Sequence, residues 1–238
     1  PRFELTVVWN GQWFKWENRN TNFLYGQPDG GPTHDAPQNG YLNRSRVSLD
    51  YIPRDNNHPY RPAIIFRMAE AYLSYAEALN ESSERMSHKQ EILDNLNKIR
   101  HRAGIAEYGT GTDENGFTRI KINFSDQKEV RRLIHKERRV EFVGEGVRYH
   151  DLRRWKTAHY GIGNLNEQGE NPDWGVNGPD YGMNYYGTEY TDQGDNAFFK
   201  RTKYMDRVYP RKFYWYPIHQ SEIDKDPTLV QGPFWLGE

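Results

Sequence analysis

From about residue 66 to residue 103 the apolar positions return at steps of three and four, the repeat of helices that bury one face. Ile65, Met68 or Ala69, Tyr72, Ala76 and Leu79 trace that face first, with Arg67, Glu70, Ser74, Glu77 and Glu81 mainly elsewhere on the wheel. This spacing predicts a helix over 66–81. Ser87 and Gln90 then form the S-x-x-Q pattern of a capping box, opening a second helix through Ile92, Leu96, Ile99 and Ala103. Gly104 follows as its C′ stop. With alanines where the two must approach closely, the pair reads as an α-hairpin, either of tetratricopeptide (TPR) proportions or an ordinary helix pair. A third helix is predicted from Ser125 or Asp126 to Phe142, its apolar side supplied by Val130, Leu133, Ile134, Val140 and Phe142. Gly144 and Gly146 bend the chain into a shorter segment, 147–157.

Elsewhere the helical repeat is lost. Residues 1–65 read as a loop-rich segment with short strands, opening on a strand-like PRFELTVVW and including a turn-rich stretch, 26–40, with three prolines. Between Thr157 and Phe199 there is no Lys or Arg, while seven acidic residues and eight aromatics are spread among Gly and Asn. The stretch 158–210 is therefore expected to be an aromatic, acidic loop excursion, and long ordered loops often carry function. A strand at 211–218 and a turn-rich tail complete the chain at residue 238. The expected architecture is one mainly α domain: a helical core at 66–157 with long irregular loops and a few short strands.

Composition narrows the chemistry. With 32 Lys and Arg against 33 Asp and Glu, the net charge of −1 gives no general electrostatic reason to bind nucleic acid. No apolar run approaches the roughly 20 residues needed to cross a bilayer. The absence of cysteine removes disulfides, thiolate nucleophiles and Cys-ligated metals. The unusual quantity is aromatic content, with 7 Trp, 17 Tyr and 11 Phe making 15% of the chain.

The densest charge constellation is KERRVEFVGEGVRYHDLRRW, residues 136–155. Glu137, Glu141 and Glu145 are four apart, with Arg138, Arg148 and Arg154 nearby as partners and Asp151 in the same run. Paired carboxylates can serve as acid and base in glycoside hydrolysis. The plainer reading is a structural ion-pair network, because neighbouring guanidinium groups keep each carboxylate ionised. No H-x-x-x-H or H-E-x-x-H spacing supports zinc, no G-x-S-x-G elbow supports a serine nucleophile, and no P-loop or G-x-G-x-x-G supports a nucleotide. Asp and Asn within 164–196 are calcium donors by type, but they are also ordinary turn formers and show no EF-hand pattern. No cofactor is expected.

Five blocks, in order, give the chain a family likeness. They are the PRF…TV…NG opening, R-x-A-E-x-Y-L-x-Y-A-E-A (67–78), L-N-K-I-R-x-R-A-G (96–104), E-R-R-x-E-F-x-x-E-G-x-R-x-x-D-L-R-R-W (137–155) and Y-P-I-H-Q-S-E-I-D-K-D-P-T-L-V-Q-G-P-F-W (216–235). Together they resemble the SusD/RagB family. His219 stands where that family usually has proline, and Gly232-Pro233-Phe234 replaces its Asn-Pro-Gly, which alters a turn but no active group.

The resemblance implies a SusD-like fold and a non-catalytic, surface-exposed outer-membrane lipoprotein of Bacteroidetes type. Such a protein captures oligosaccharides, or in RagB-like members peptides, and passes them to a TonB-dependent SusC-like transporter. It also implies that these residues are the C-terminal portion of a longer protein whose N-terminal half carries the lipid anchor and further TPR helices. Loop aromatics agree with such a role, since a sugar's apolar C–H face can lie on an indole or phenol ring while Asn, Asp, Gln and Arg meet its hydroxyls. Trp9, Trp13, Trp16 and Tyr25 in the first segment, and Trp174, Tyr185, Tyr186 and Tyr190 in the excursion, are the candidate ligand contacts. The alternatives are that strand alternation buries part of the first set, and that the excursion faces the transporter. Trp155, Trp215 and Trp235 lie inside the family blocks and are expected to be core.

Overall fold

The computed structural model describes residues 2–45, 47–48, 55–56, 59–60, 63–161 and 175–235. Its helical centre consists of α2 (Met68–Glu81), α3 (Lys89–Arg102) and α4 (Gln127–Glu141), with α2 packed against both others. The buried face of α2 runs through Ala69, Leu73, Ala76, Leu79 and Asn80, and two alanines on it let the neighbouring helices come close. Leu73 and Ala76 meet Ile92, Leu96 and Ile99 of α3 and Val130 and Ile134 of α4 in one cluster that also takes in Tyr108 and Phe142. The predicted face was rotated from this one: Ile65 lies before the helix and is 98% exposed, and Glu77 is buried.

Helix ends follow local chemistry. Asp126 caps α4, its carboxylate accepting the amides of Lys128 at 2.9 Å and Glu129 at 3.2 Å. The expected capping box at α3 is not formed. Ser87 Oγ instead donates to the Glu84 carbonyl at 2.7 Å, so the turn 82–88 closes on itself and the helix starts two residues later. Its other end does stop at Gly104, where φ is +62° and the amides of Gly104 and Ile105 reach back to the carbonyls of His101 and Arg100. A shorter helix, α5 (Val147–Arg154), follows the glycine bend, and α6 (Gln220–Lys225) lies in the tail.

Three two-stranded antiparallel ribbons surround this centre among the described residues. The first pairs β1 (Val7–Trp9) with β4 (Tyr41–Asn43), Trp9 opposite Tyr41. The second is a tight hairpin of β2 (Trp13–Phe14) and β3 (Arg19–Asn20). The third pairs β5 (Gly178–Gly182) with β6 (Thr202–Arg207) around a bulge at Asp180/Tyr181.

Three local expectations are corrected. The chain opens on a short helix, α1 (Arg2–Thr6), before its strand, with Arg2 drawn to Glu137 at 2.9 Å. The excursion contains a β-ribbon, whose first strand, GPDYG, hides the period-two signal with two glycines and a proline. The expected strand at 211–218 is a 3-10 turn, Arg211–Tyr214. Arg153 donates there to the carbonyls of Phe213 at 2.9 Å and Tyr214 at 2.6 Å, occupying acceptors that a partner strand would need.

Candidate functional site

Two segments far apart in sequence meet over a small second core of Phe23, Leu24 and Phe198, with Val8 and Met183 against it. Above that core the Tyr25 amide donates to the Gly187 carbonyl at 2.8 Å, and the Gly187 amide donates to Asn184 O at 2.9 Å. A Cβ on Gly187 would lie 2.4 Å from the Phe198 Cα, so the turn seats on the core only because residue 187 has none. Asn184 is buried. Its Nδ2 donates to the carbonyls of Asp195 and Ala197 at 3.0 and 3.2 Å, and its Oδ1 accepts the Tyr186 amide at 3.2 Å.

This scaffold brings Tyr25, Tyr185 and Tyr186 together. Ring centroids are 6.0 Å apart for Tyr25 and Tyr185, 5.5 Å for Tyr25 and Tyr186, and 5.1 Å for Tyr185 and Tyr186, the last pair nearly perpendicular at 89°. Tyr25 and Tyr185 are half-buried, whereas Tyr186 is 69% exposed. Two supported rings therefore prop up one open ring. Beside it lies a cleft of about 450 Å³, bounded by Gln38, Asn184, Tyr185, Tyr186, Thr202, Lys203 and Tyr204. The Lys203 ammonium sits 2.5 Å from the Asp206 carboxylate, which balances its charge. An open phenol face next to amides and hydroxyls, in a charge-balanced cleft, suits a hydroxyl-rich ligand with one flat apolar side.

The other aromatic candidates lie apart from this cluster. Trp9 packs against Phe3 at 5.5 Å, and Tyr41 closes edge-on against Phe3 at 5.9 Å. Trp13 is 59% exposed on β2, and Trp16 is half-buried with the Lys15 ammonium 4.6 Å above its ring. Tyr190 donates its hydroxyl to Asn22 Oδ1 at 2.9 Å, a further tie between the two segments. Trp174 lies outside the described residues. Of the tryptophans expected to be core, Trp155 stacks on His135 at 3.5 Å, Trp235 stacks on Phe213 at 6.1 Å, and Trp215 is 40% exposed.

A larger cleft of about 520 Å³ runs along the outer side of α3 and the 107–119 loop. Within it Glu107 pairs with Arg119 at 2.9 Å and with His101 at 3.2 Å, and the tyrosine in its lining, Tyr108, is only 3% exposed. It offers no open ring.

The charged run 136–155 occupies a third place. Glu137 accepts from Arg2 at 2.9 Å, from Tyr108 OH at 3.2 Å and from Arg100. Glu141 accepts from Arg67 at 2.6 Å and from Arg102, and Glu145 takes the other side of Arg67 at 2.7 and 2.8 Å. The arginines of the run serve other acids. Arg138 forms a buried bidentate pair with Asp151, both bonds 2.9 Å, while Arg154 bridges Asp151 at 3.0 Å and Glu77 at 2.6 Å. Burial alone would raise the Glu77 carboxyl, but hydrogen bonds from His135, Arg154 and Trp155 outweigh it and hold the group well below the ordinary carboxylate range. Arg148 is half-buried and is pulled down to about 10 by that burial and by the nearby charge of Arg139. Sequence reasoning missed Arg2, Arg67, Arg100, Arg102 and Glu77 as members. For Glu77 a signal existed, since it stands four residues after Leu73 on the buried stripe.

No group of three or more His, Cys, Asp or Glu among the described residues is placed to hold a metal ion, and none of the described helices is long and apolar enough to cross a membrane.

The model of the SusD family matches residues 1–235. The chain belongs to the SusD family. Among curated relatives, it is 32% identical to SusD-like protein P25 of Formosa agariphila over 109 residues, which is 46% of this chain and 18% of that protein. It is 32% identical to SusD-like protein P38 of the same organism over 103 residues, 43% of this chain and 19% of that one. A crystal structure of a SusD-like protein from Bacteroides fragilis (BF3747) shares the fold at 25% identity with a TM-score of 0.66, covering 99% of this chain and 39% of the other. The protein BT4246 superposes with a TM-score of 0.68 at 24% identity, covering 99% and 36%. The chain thus spans under two-fifths of the length of these two solved structures. Four of the five blocks through which it resembles the family, beginning at residues 1, 67, 96 and 137, send side chains into the network around Glu137 and Glu141.

Proposed function

We propose that this chain contributes a binding surface with which its whole protein captures oligosaccharides, without catalysis, at the outside of the cell for delivery to a TonB-dependent SusC-like transporter. The observation that supports this most directly is the convergence of Tyr25, Tyr185 and Tyr186, from segments far apart in the chain, beside a charge-balanced cleft. The exposed Tyr186 face is a platform for one sugar ring, and Gln38, Thr202 and Tyr204 are placed to meet hydroxyls. Family membership supports a nutrient-binding role. Attachment to the outer membrane through a lipid on another part of the protein belongs to the same reading.

A non-catalytic role is supported by the evenly spaced carboxylates of α4 and the bend after it. Glu137, Glu141 and Glu145 each accept from one or more arginines, which suits an ion-pair network rather than an acid and base pair.

Titration calorimetry of the full-length protein with malto-, cello-, xylo- and laminarihexaose tests the reading. A ring stacked on a flat apolar face contributes about 1–3 kcal/mol, so Tyr186→Ala should weaken the tightest of these complexes about five- to 150-fold. Trp13→Ala and Trp16→Ala, outside the cluster, should change it little. Wild-type affinity in both Tyr185→Ala and Tyr186→Ala, with both folded, overturns the site; release of reducing ends from any hexasaccharide overturns the non-catalytic assignment.

A further inference from the structure

Gly31 touches the tyrosine cluster at the Tyr185 ring. A Cβ built on it would lie 2.5 Å from Tyr185 Cζ, 2.6 Å from the phenol oxygen and 2.8 Å from Cε1. These are contacts no carbon side chain tolerates, and all three fall on the far end of one aromatic ring rather than on backbone. Gly31 is buried in a turn, and its φ is not in the left-handed region, so that conformation is not what calls for glycine here. What its missing side chain permits is the position of Tyr185.

The loop that carries Gly31 has little room to retreat. Asp29 is gripped by Arg19 through two bonds of 2.6 and 2.8 Å and accepts the Asn22 amide at 2.8 Å. The Asp29 amide returns to the Asn22 carbonyl at 3.1 Å, and the Gly26 amide donates to the Gly31 carbonyl. Gly30 packs so closely on Leu24 that a Cβ there would lie 1.9 Å from the Leu24 carbonyl oxygen. With the loop fixed and Tyr25 and Tyr186 both in ring contact with Tyr185, a side chain at residue 31 would have to be accommodated by the phenol of Tyr185.

We propose that Gly31 is a positioning residue of the oligosaccharide site: its bare backbone forms the wall that sets where the Tyr185 ring lies, and through that ring the tilt of Tyr25 and Tyr186. This rests on the tyrosine-cluster reading above and adds to it a residue that touches no sugar. Residue 31 then governs the shape of the platform, so a small change behind the cluster retunes which sugar face fits in front.

The test is a double-mutant cycle in the full-length protein with Gly31→Ala, Tyr185→Leu and the combination, read by tyrosine ring NMR with ¹³C-labelled Tyr and by calorimetry with the four hexasaccharides. Gly31→Ala should shift the ring signals of Tyr25 and Tyr186 and, in a folded protein, weaken the tightest hexasaccharide complex by about two- to tenfold, the size of one aromatic contact. In the Tyr185→Leu background the same alanine should add little, because the ring it displaces is gone. An equal loss in both backgrounds overturns the proposal, as do unshifted tyrosine signals in Gly31→Ala. If Gly31→Ala alone misfolds, rescue by Tyr185→Leu supports the assignment and failure of rescue overturns it. The ring shifts are read without sugar, so a site that binds no hexasaccharide leaves this result distinguishable from failure of the binding reading.

Discussion

Arg138 and Asp151 illustrate what a single pair does here. Both side chains are about 96–97% buried and joined by two bonds, so removing one charge strands the other in a dry place. Asp151→Asn should therefore destabilise the fold by about 3–5 kcal/mol in urea unfolding, while oligosaccharide affinity at equal folded fraction stays unchanged. Glu77 adds a pH dependence with a definite sign. Because its folded pKa is depressed, its contribution is complete above the ordinary carboxylate range and is lost as pH falls through that range and below it. Melting curves from pH 7 to pH 3 should show the gap between wild type and Glu77→Gln closing on the acid side. Asp29, held low first by its hydrogen bonds from Arg19, follows the same sign, so acid should loosen the loop behind Tyr185 as well. Tyrosine ring signals that respond to Arg19→Ala as they do to acid would confirm that anchor.

At the scale of elements, the three central helices were legible from their apolar spacing, and two of their ends from local chemistry as well. Asp126 and Gly104 mark their boundaries by local chemistry alone, and α4 lies within two residues of its expected limits. The ribbons were not legible for the opposite reason. β5 is GPDYG, with two glycines and a proline in five positions, so it carries almost no alternation and is held by pairing with β6 instead. The opening helix and the Arg211–Tyr214 turn likewise follow from distant arginine contacts, which no local window contains. The site was half visible. Aromatic loops named Tyr25, Tyr185 and Tyr186 as single residues, but their meeting, the cleft wall from β6 and the bare backbone of Gly31 depend on tertiary closure. Trp9 stood on the same footing as these tyrosines in the sequence, and its ring packs on Phe3.

The whole molecule shows much apolar surface to water. Ile64 and Val230 are more than 70% exposed, as are Tyr60 and Tyr216, and Ile65 is almost fully so. Residues 1–238 expressed by themselves should therefore bind a hydrophobic dye or associate. A monodisperse monomer that melts cooperatively without dye binding would show that this surface is tolerated in water.

The tie between Tyr190 and Asn22 spans 168 residues of sequence. The helical hairpin can form from neighbours, but the two walls of the tyrosine cluster must find each other after nearly three-quarters of the chain has been ordered or looped out. Lengthening such a loop twofold costs only about 0.6 kcal/mol in closure entropy, yet contacts of this separation slow folding. The proposed sugar binding should consequently be the last property acquired on refolding, lagging the recovery of far-ultraviolet helix signal. A single backbone nick in the intervening loops, harmless to the helices, would turn that closure into a bimolecular event and silence the site first.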